Sequence, residues 1–295
     1  PPRSTLFPYT TLFRSGLAFG LHRAADTAGA MLGILIAAFV VWKVQAAGSS
    51  LQESTFRTIV LISIIPSVLA VISLAVMTKE KKPEGVAKAP KISFRGLGKN
   101  FMFFMIIVGI FDLGNSSDAF LVLRAQERGM TTLHILLMLA VFNLVYTLVS
   151  TPAGMISDKI GRKKLIIGGW TMYALIYLGF ALAQNVTHIW LLYVAYGLYY
   201  GMAYGTAKAM LSDLVPKDLR GTAFGTYNAV LGILDFPASL IAGLLWSGAG
   251  GWNGFGPSAP FFFGAVLATI AIVMMLIWKP SAPNTEAVEG AAAVN

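Results

Sequence analysis

The sequence predicts an all-α, polytopic transmembrane helix bundle, and three observations carry that prediction. Of the 295 residues 56% are hydrophobic and 12% charged, a composition that leaves too little polar surface for a soluble domain. The apolar residues are gathered into eight runs, each near the roughly 20 residues a helix needs to cross a bilayer. Between the runs the connections are rich in Lys and Arg. A lipid-exposed sheet would need alternating strands closed into a barrel, and no such alternation is present.

In chain order, residues 1–15 (PPRSTLFPYTTLFRS) lack an initiator Met, carry TLF twice and fit neither a signal peptide nor the span that follows. They are set aside as a non-native leader, with the natural protein expected to begin further upstream. Helix one is predicted over Gly16–Trp42 and helix two over Thr58–Met77. The stretch 79–99, with Pro83, Gly85, Pro90 and many lysines, is predicted as a basic cytoplasmic linker between two halves. Helices three to eight are predicted over Phe101–Val122, His134–Ala153, Leu165–Ala183, Ile189–Leu214, Thr222–Trp246 and Phe261–Trp278. The Ala-, Pro- and Glu-containing tail, residues 280–295, is predicted to be a disordered cytoplasmic segment.

Charge sets the orientation. The formal net charge of +9 would suggest nucleic acid in a soluble domain, but here the basic residues lie in short connections, which argues against a nucleic-acid partner. Lys and Arg concentrate in the linker, in the stretch Lys159–Lys164, at Lys217 and Arg220 and at Lys279, whereas the opposite face holds Lys43, Arg57, Arg124 and Arg128. The positive-inside rule places the linker and both chain ends in the cytoplasm. With no cysteine, disulfides and thiolate metal sites are excluded.

An internal repeat sets the architecture. Gly16-Leu-Ala-Phe-Gly20 opens helix one and Gly221-Thr-Ala-Phe-Gly225 opens helix seven; without gaps, Ala24 matches Ala229 and Leu35-Ile36-Ala37 matches Leu240-Ile241-Ala242. The copies lie six helices apart, so the repeating unit has six helices. Helix seven then belongs to a complete C-terminal half, residues 100–279, while residues 16–78 are the last two helices of an N-terminal half. The expected whole is a twelve-helix protein, with eight helices present in this sequence.

Between helices four and five stands Gly154-Met-Ile-Ser-Asp158-Lys-Ile-Gly161-Arg162-Lys163-Lys164, read as a tight polar turn at a membrane face. This GxxxDxxGR[KR] pattern resembles the signature loop of the major facilitator superfamily of secondary transporters, and the resemblance covers Gly16 to about Trp278. It implies a major facilitator fold lacking its first four helices. It also implies that Gly154, Asp158, Gly161, Arg162 and Lys163 form a conformational latch, with Asp158 approaching the start of helix one in the outward-open state and Arg162 pairing across the same seam. An ordinary positive-inside turn is the plainer alternative.

Charges inside a bilayer cost about 2.5 to 3.5 kcal/mol each on insertion scales, so they are functional candidates. Helices two, five and eight carry no charge and are expected to face lipid, as the third and sixth helices of each half do in the superfamily. In helix one, Arg23 and Asp26 are spaced i, i+3; they form either a coupling site with His22 beside it or a structural pair. In helix three, Asp112, Asn115 and Asp118 fall within a 120° arc at about 100° per residue, one polar stripe near mid-membrane. In helix six, Gly197, Gly201 and Gly205 form a packing stripe, and Tyr196, Tyr200 and Tyr204 beside it either meet a substrate or fill the interior. Asp235 precedes Pro237, where a broken ladder frees backbone carbonyls.

The function expected is secondary active transport of a small solute by alternating access, coupled to protons, with export of a drug or metabolite as one form of it. Asp26, Asp112, Asp118 and Asp235 are the proton-coupling candidates; His22, Arg23, Asn115, Tyr200 and Asn228 are the cavity candidates. The alternatives are a non-transporting sensor or scaffold on the same fold and an intramembrane enzyme, against which stands the lack of HExxH, GxSxG and GxGD motifs. No catalytic residue, metal or cofactor is expected, and no P-loop points to ATP. The expected setting is a prokaryotic inner membrane, and the expected working form of the full-length protein is a monomer.

Overall fold

The computed structural model describes residues 8–45, 48, 50–77, 96–216 and 219–279, with the side chains of residues 8–25 and of Asp158 outside that description. The first seven leader residues, the linker stretch 79–95 and the tail 280–295 thus lie outside the described residues, as do the side chains of His22, Arg23 and Asp158.

Among the described residues the structure is helical: α1 (Pro8–Val44), α2 (Glu53–Met77), α3 (Gly98–Gly114), α4 (Ala119–Glu127), α5 (Thr132–Ile160), α6 (Arg162–Leu182), α7 (Val186–Asp213), α8 (Arg220–Ser247) and α9 (Ala259–Ile277). Helix α1 begins at Pro8, so residues 8–15 of the stretch set aside as a leader form its first turns. The continuous helix expected over Phe101–Val122 is two helices, α3 and α4, separated at Asn115–Asp118. Asn, Ser, Ser and Asp compete for backbone hydrogen bonds through their own side chains, which is the local reason for the interruption.

Among the described residues seven segments are long and apolar enough to cross a membrane, the α3–α4 pair counting as one. Helix α7 is outside that set. Its 28 residues are long enough, but five tyrosines and three glycines dilute its apolarity. Those tyrosines instead make it the most aromatic wall of the interior.

Packing divides the chain into two units, residues 1–78 with 131–147, and residues 79–130 with 148–295. In the first unit α1 packs on α2. The turn between them is held by Gln45, whose Nε2 donates to Ser50 O at 2.6 Å and whose Oε1 accepts from Gln52 N at 3.0 Å. Along α2 the side chains of Leu61, Leu69, Val71 and Leu74 are exposed, the lipid-facing surface expected of the uncharged span Thr58–Met77. The first half of α5, residues 131–147, which the sequence places in the C-terminal half, clusters with this unit.

In the second unit α6 packs between α7 and α9, α9 continues onto α3, and α3 onto α8, which returns to α9 and α7. Close approach is bought by small residues. A Cβ on Gly264 would stand 2.5 Å from Gly114 O and 2.6 Å from the Tyr177 ring, and one on Gly169 would stand 3.0 Å from Ala203 Cβ. Gly201 does the same against α5, where an added Cβ would lie 2.7 Å from Val149 Cγ1. Gly205, by contrast, faces open space, so the glycine stripe of α7 packs closely at Gly201 and not along its whole length.

Helix α6 departs from the expectation that every uncharged helix faces lipid. It buries Ile166, Gly169, Tyr173, Ile176 and Phe180, a 3-4 spaced stripe that forms one helix face. Only its Leu175, Leu178 and Leu182 side points outward. Lipid tails and a helix-bundle interior are equally apolar, so absence of charge does not distinguish them.

Candidate functional site

The site is organised by the gap between α3 and α4. Gly114, the last residue of α3, has no room for a side chain against α9, and its carbonyl accepts a hydrogen bond from Tyr173 Oη at 3.0 Å. That satisfies one of the unpaired acceptors every helix end leaves. The backbone then turns out of the helix at Asn115 (φ −96°, ψ 74°). Ser117 N donates to Ser239 Oγ on α8 at 3.3 Å, and Ser117 Oγ accepts from Ala119 N at 3.3 Å as α4 restarts. Asp112, Asn115 and Asp118 therefore do not form one helical stripe. They surround an interruption.

Two adjoining cavities open there. The inner one, about 90 Å³, is lined by Phe111, Asp112, Asn115, Trp170, Tyr200 and Tyr227 among others. The outer one, about 560 Å³, is lined by Asn115, Ser117, Asp118, Tyr200, Asp235 and Ser239 among others. Asn115 and Tyr200 belong to both. Asp112 is 8% exposed, and its Oδ2 and the Oδ1 of Asn115 are buried without a hydrogen-bond partner. Asp118 Oδ1 accepts from Tyr196 Oη at 2.8 Å. Asp235 on α8 is exposed and lines the outer cavity.

Aromatic rings make the wall behind the carboxylates. Phe111 stacks on Trp170 with centroids 4.5 Å apart, Tyr173 on Tyr177 at 4.0 Å, and Tyr196 meets Tyr199 at 5.5 Å and Tyr200 at 5.1 Å. Such contacts are worth about 0.5–1.5 kcal/mol beyond burial. They hold the tyrosines in place. Phe111, Trp170, Tyr199 and Tyr227 were not singled out by the sequence, because an aromatic residue in an apolar span looks the same whether it packs or lines a cavity.

Of the other predicted site residues, Asp26 is exposed on α1, and Asn228 is exposed on α8 and outside both cavity walls, its neighbour Tyr227 facing the inner cavity instead. The signature stretch is mostly helix. Gly154 and Asp158 belong to the end of α5, and the connection to α6 is Gly161 alone, at φ 93°. Arg162 Nε donates to Asp213 Oδ2 at the end of α7. Lys163 Nζ donates to the carbonyls of Leu276, at 3.3 Å, and Trp278, placing its cation at the C-terminus of α9.

Arg124, counted from the sequence among the basic residues of the connections opposite the cytoplasm, lies within α4. It is 1% exposed. Its guanidinium donates to the carbonyls of Phe180 (3.0 Å), Ala181 (2.9 Å) and Ala183 (3.4 Å), to Ser258 Oγ (3.1 Å) and to Glu127 Oε2 (2.5 Å). The planar fork thus closes the C-terminus of α6 against the start of α9.

Comparison with known proteins agrees with this architecture. The family model described as Major Facilitator Superfamily matches residues 8–234 and again residues 100–293, an overlap that an internally repeated chain allows. An uncharacterised MFS-type transporter of Methanocaldococcus jannaschii is 33% identical over 281 residues, which cover 93% of this chain and 67% of that protein. The quinolone resistance protein NorA of Staphylococcus aureus is 25% identical over 153 residues, 52% of this chain and 37% of NorA. With helices able to cross a membrane and these matches, the chain is an integral membrane protein that belongs to the Major Facilitator Superfamily of transporters.

Proposed function

We propose that the protein is a secondary active transporter that moves a small solute by alternating access and couples that movement to protons. The observation that supports this best is Asp112, a buried carboxyl with an unpartnered oxygen, in the wall of a cavity beside the one that Asp118 and Asp235 line. A carboxyl group in such a place changes its interactions strongly with one proton. Asp26, exposed on α1, remains the fourth coupling candidate. The quinolone resistance named for NorA supports export of a drug or metabolite as the direction of transport.

In this reading the basic face carrying Lys159, Arg162, Lys163, Lys164 and Lys279 is cytoplasmic, the membrane is the prokaryotic inner membrane, and the working form is a monomer. Residues 16–78 and 100–279 belong to opposite six-helix halves, and the signature stretch from Gly154 to Lys163 is the latch between conformations; the Arg162–Asp213 pair lies within the second of these halves and does not cross the seam. Coupling is tested with Asp→Asn variants at 26, 112, 118 and 235 in proteoliposomes. A true coupling position loses proton-driven flux and keeps solute exchange. Unchanged driven flux in all four variants removes proton coupling through these residues.

A further inference from the structure

We propose that the inner cavity receives the protonated head of an organic amine, held between Asp112 and the tyrosines of α7 and α8. This rests on the transport reading for the cavity being a solute path, and it names the class of solute.

Four features lead to it. The carboxylate oxygen Asp112 Oδ2 and the amide oxygen Asn115 Oδ1 are both buried acceptors without donors, and both residues line the same small cavity. Unsatisfied buried acceptors are costly, and an ammonium group brings several N–H donors together with a charge that suits a carboxylate. Secondly, among the described residues the walls of the two cavities contain the three carboxylates of Asp112, Asp118 and Asp235 and no Lys, Arg or His, a lining that favours a cation over an anion. Thirdly, the remaining wall of the inner cavity is aromatic, with Trp170, Tyr199, Tyr200, Tyr204 and Tyr227. Ring faces attract cations electrostatically, and more so away from water.

The fourth feature is that one of these rings already holds a cation. Lys208 Nζ stands 4.4 Å from the centroid of Tyr204 and 3.2 Å from its hydroxyl. The lysine does not line either cavity. The contact is an i, i+4 one on the exposed part of α7, and it leaves Asp112 unpaired. The inner volume of about 90 Å³ suits a head group rather than a whole drug-sized molecule, and the wider cavity beyond Asn115 and Tyr200 accommodates the body.

The test is equilibrium binding of radiolabelled phenethylamine to the purified full chain near pH 7, where a primary alkylamine is protonated. Phenethyl alcohol and phenylacetate serve as neutral and anionic competitors with the same body. The expected result is saturable binding displaced by unlabelled amine and by neither competitor, with affinity at least tenfold weaker in Asp112→Asn. Tyr227→Leu, which removes a ring without touching the carboxylate, is also expected to weaken binding and carries the test if Asp112→Asn does not fold.

Absence of saturable binding, equal displacement by the alcohol or the acid, or wild-type affinity in variants that retain a cooperative melt would overturn the assignment. Flux separates it from the transport reading. Amine binding without solute flux in vesicles leaves the site and removes the transporter, whereas flux of some solute without amine binding does the reverse.

Discussion

Arg124 shows how a single side chain substitutes for a hydrogen-bonded helix end. Three carbonyls at the C-terminus of α6, a serine of α9 and Glu127 converge on one guanidinium. Removing it as Arg124→Met leaves those acceptors buried, and breaking such a buried ionic cluster costs about 3 to 5 kcal/mol. A markedly lower melting temperature in detergent is expected. Arg124→Lys is expected to recover only part of it, since an ammonium cannot reproduce the planar fork. Equal melting of the Lys variant and wild type would show that charge alone suffices. Nothing in the sequence distinguishes Arg124 from Arg128 four residues on. What decides between them is the arrival of α6 and α9, more than fifty residues away in the chain, which local pattern does not encode.

Among elements, the α3–α9 crossing is the one on which the site depends, because it places Gly114 and hence the start of the gap. Gly264→Ala forces a Cβ into Gly114 O and the Tyr177 ring. Overpacking of this kind costs about 1–3 kcal/mol. Gly205→Ala meets nothing within 4 Å and, by removing a helical glycine, is expected to leave the melt unchanged or raise it slightly. Similar losses in the two variants would mean that the close crossing is not what holds α3 in place. The break in α3–α4 was only half legible in the sequence. Asn115-Ser116-Ser117-Asp118 is a recognisable polar cluster, but a helix in a bilayer tolerates such residues when they face inward. The tie from Ser117 to Ser239 tips the balance, and it comes from a helix 122 residues later.

For the whole molecule, the span pattern and the family signature were readable because they are properties of long segments and of one contiguous motif. The seven apolar segments among the described residues follow from composition, and Asp112, Asn115, Asp118 and Asp235 stand out in them as rare polar groups, with Tyr200 on α7 outside that set. The cavity wall was not readable, since it is assembled from α3, α6, α7 and α8. Orientation is testable directly because the chain has no cysteine of its own. Single cysteines at Lys164 and Lys279 are expected to react with an impermeant maleimide only from the cytoplasmic side, and those at Gln184 and Trp252 only from the opposite side. Labelling in the reverse sense would invert the topology.

The carbonyl cage around Arg124 also carries a consequence for synthesis. Phe180 follows Arg124 by 56 residues and Ser258 follows it by 134. At about 5–20 residues per second, the first carbonyl ligands leave the ribosome roughly 3 to 11 s after the arginine. During that interval α4 sits at the membrane with a charge and no cage, and the side chain can reach the headgroup region. Closure of the second unit around α4 is therefore expected to wait until the carbonyls of Phe180, Ala181 and Ala183 have been made.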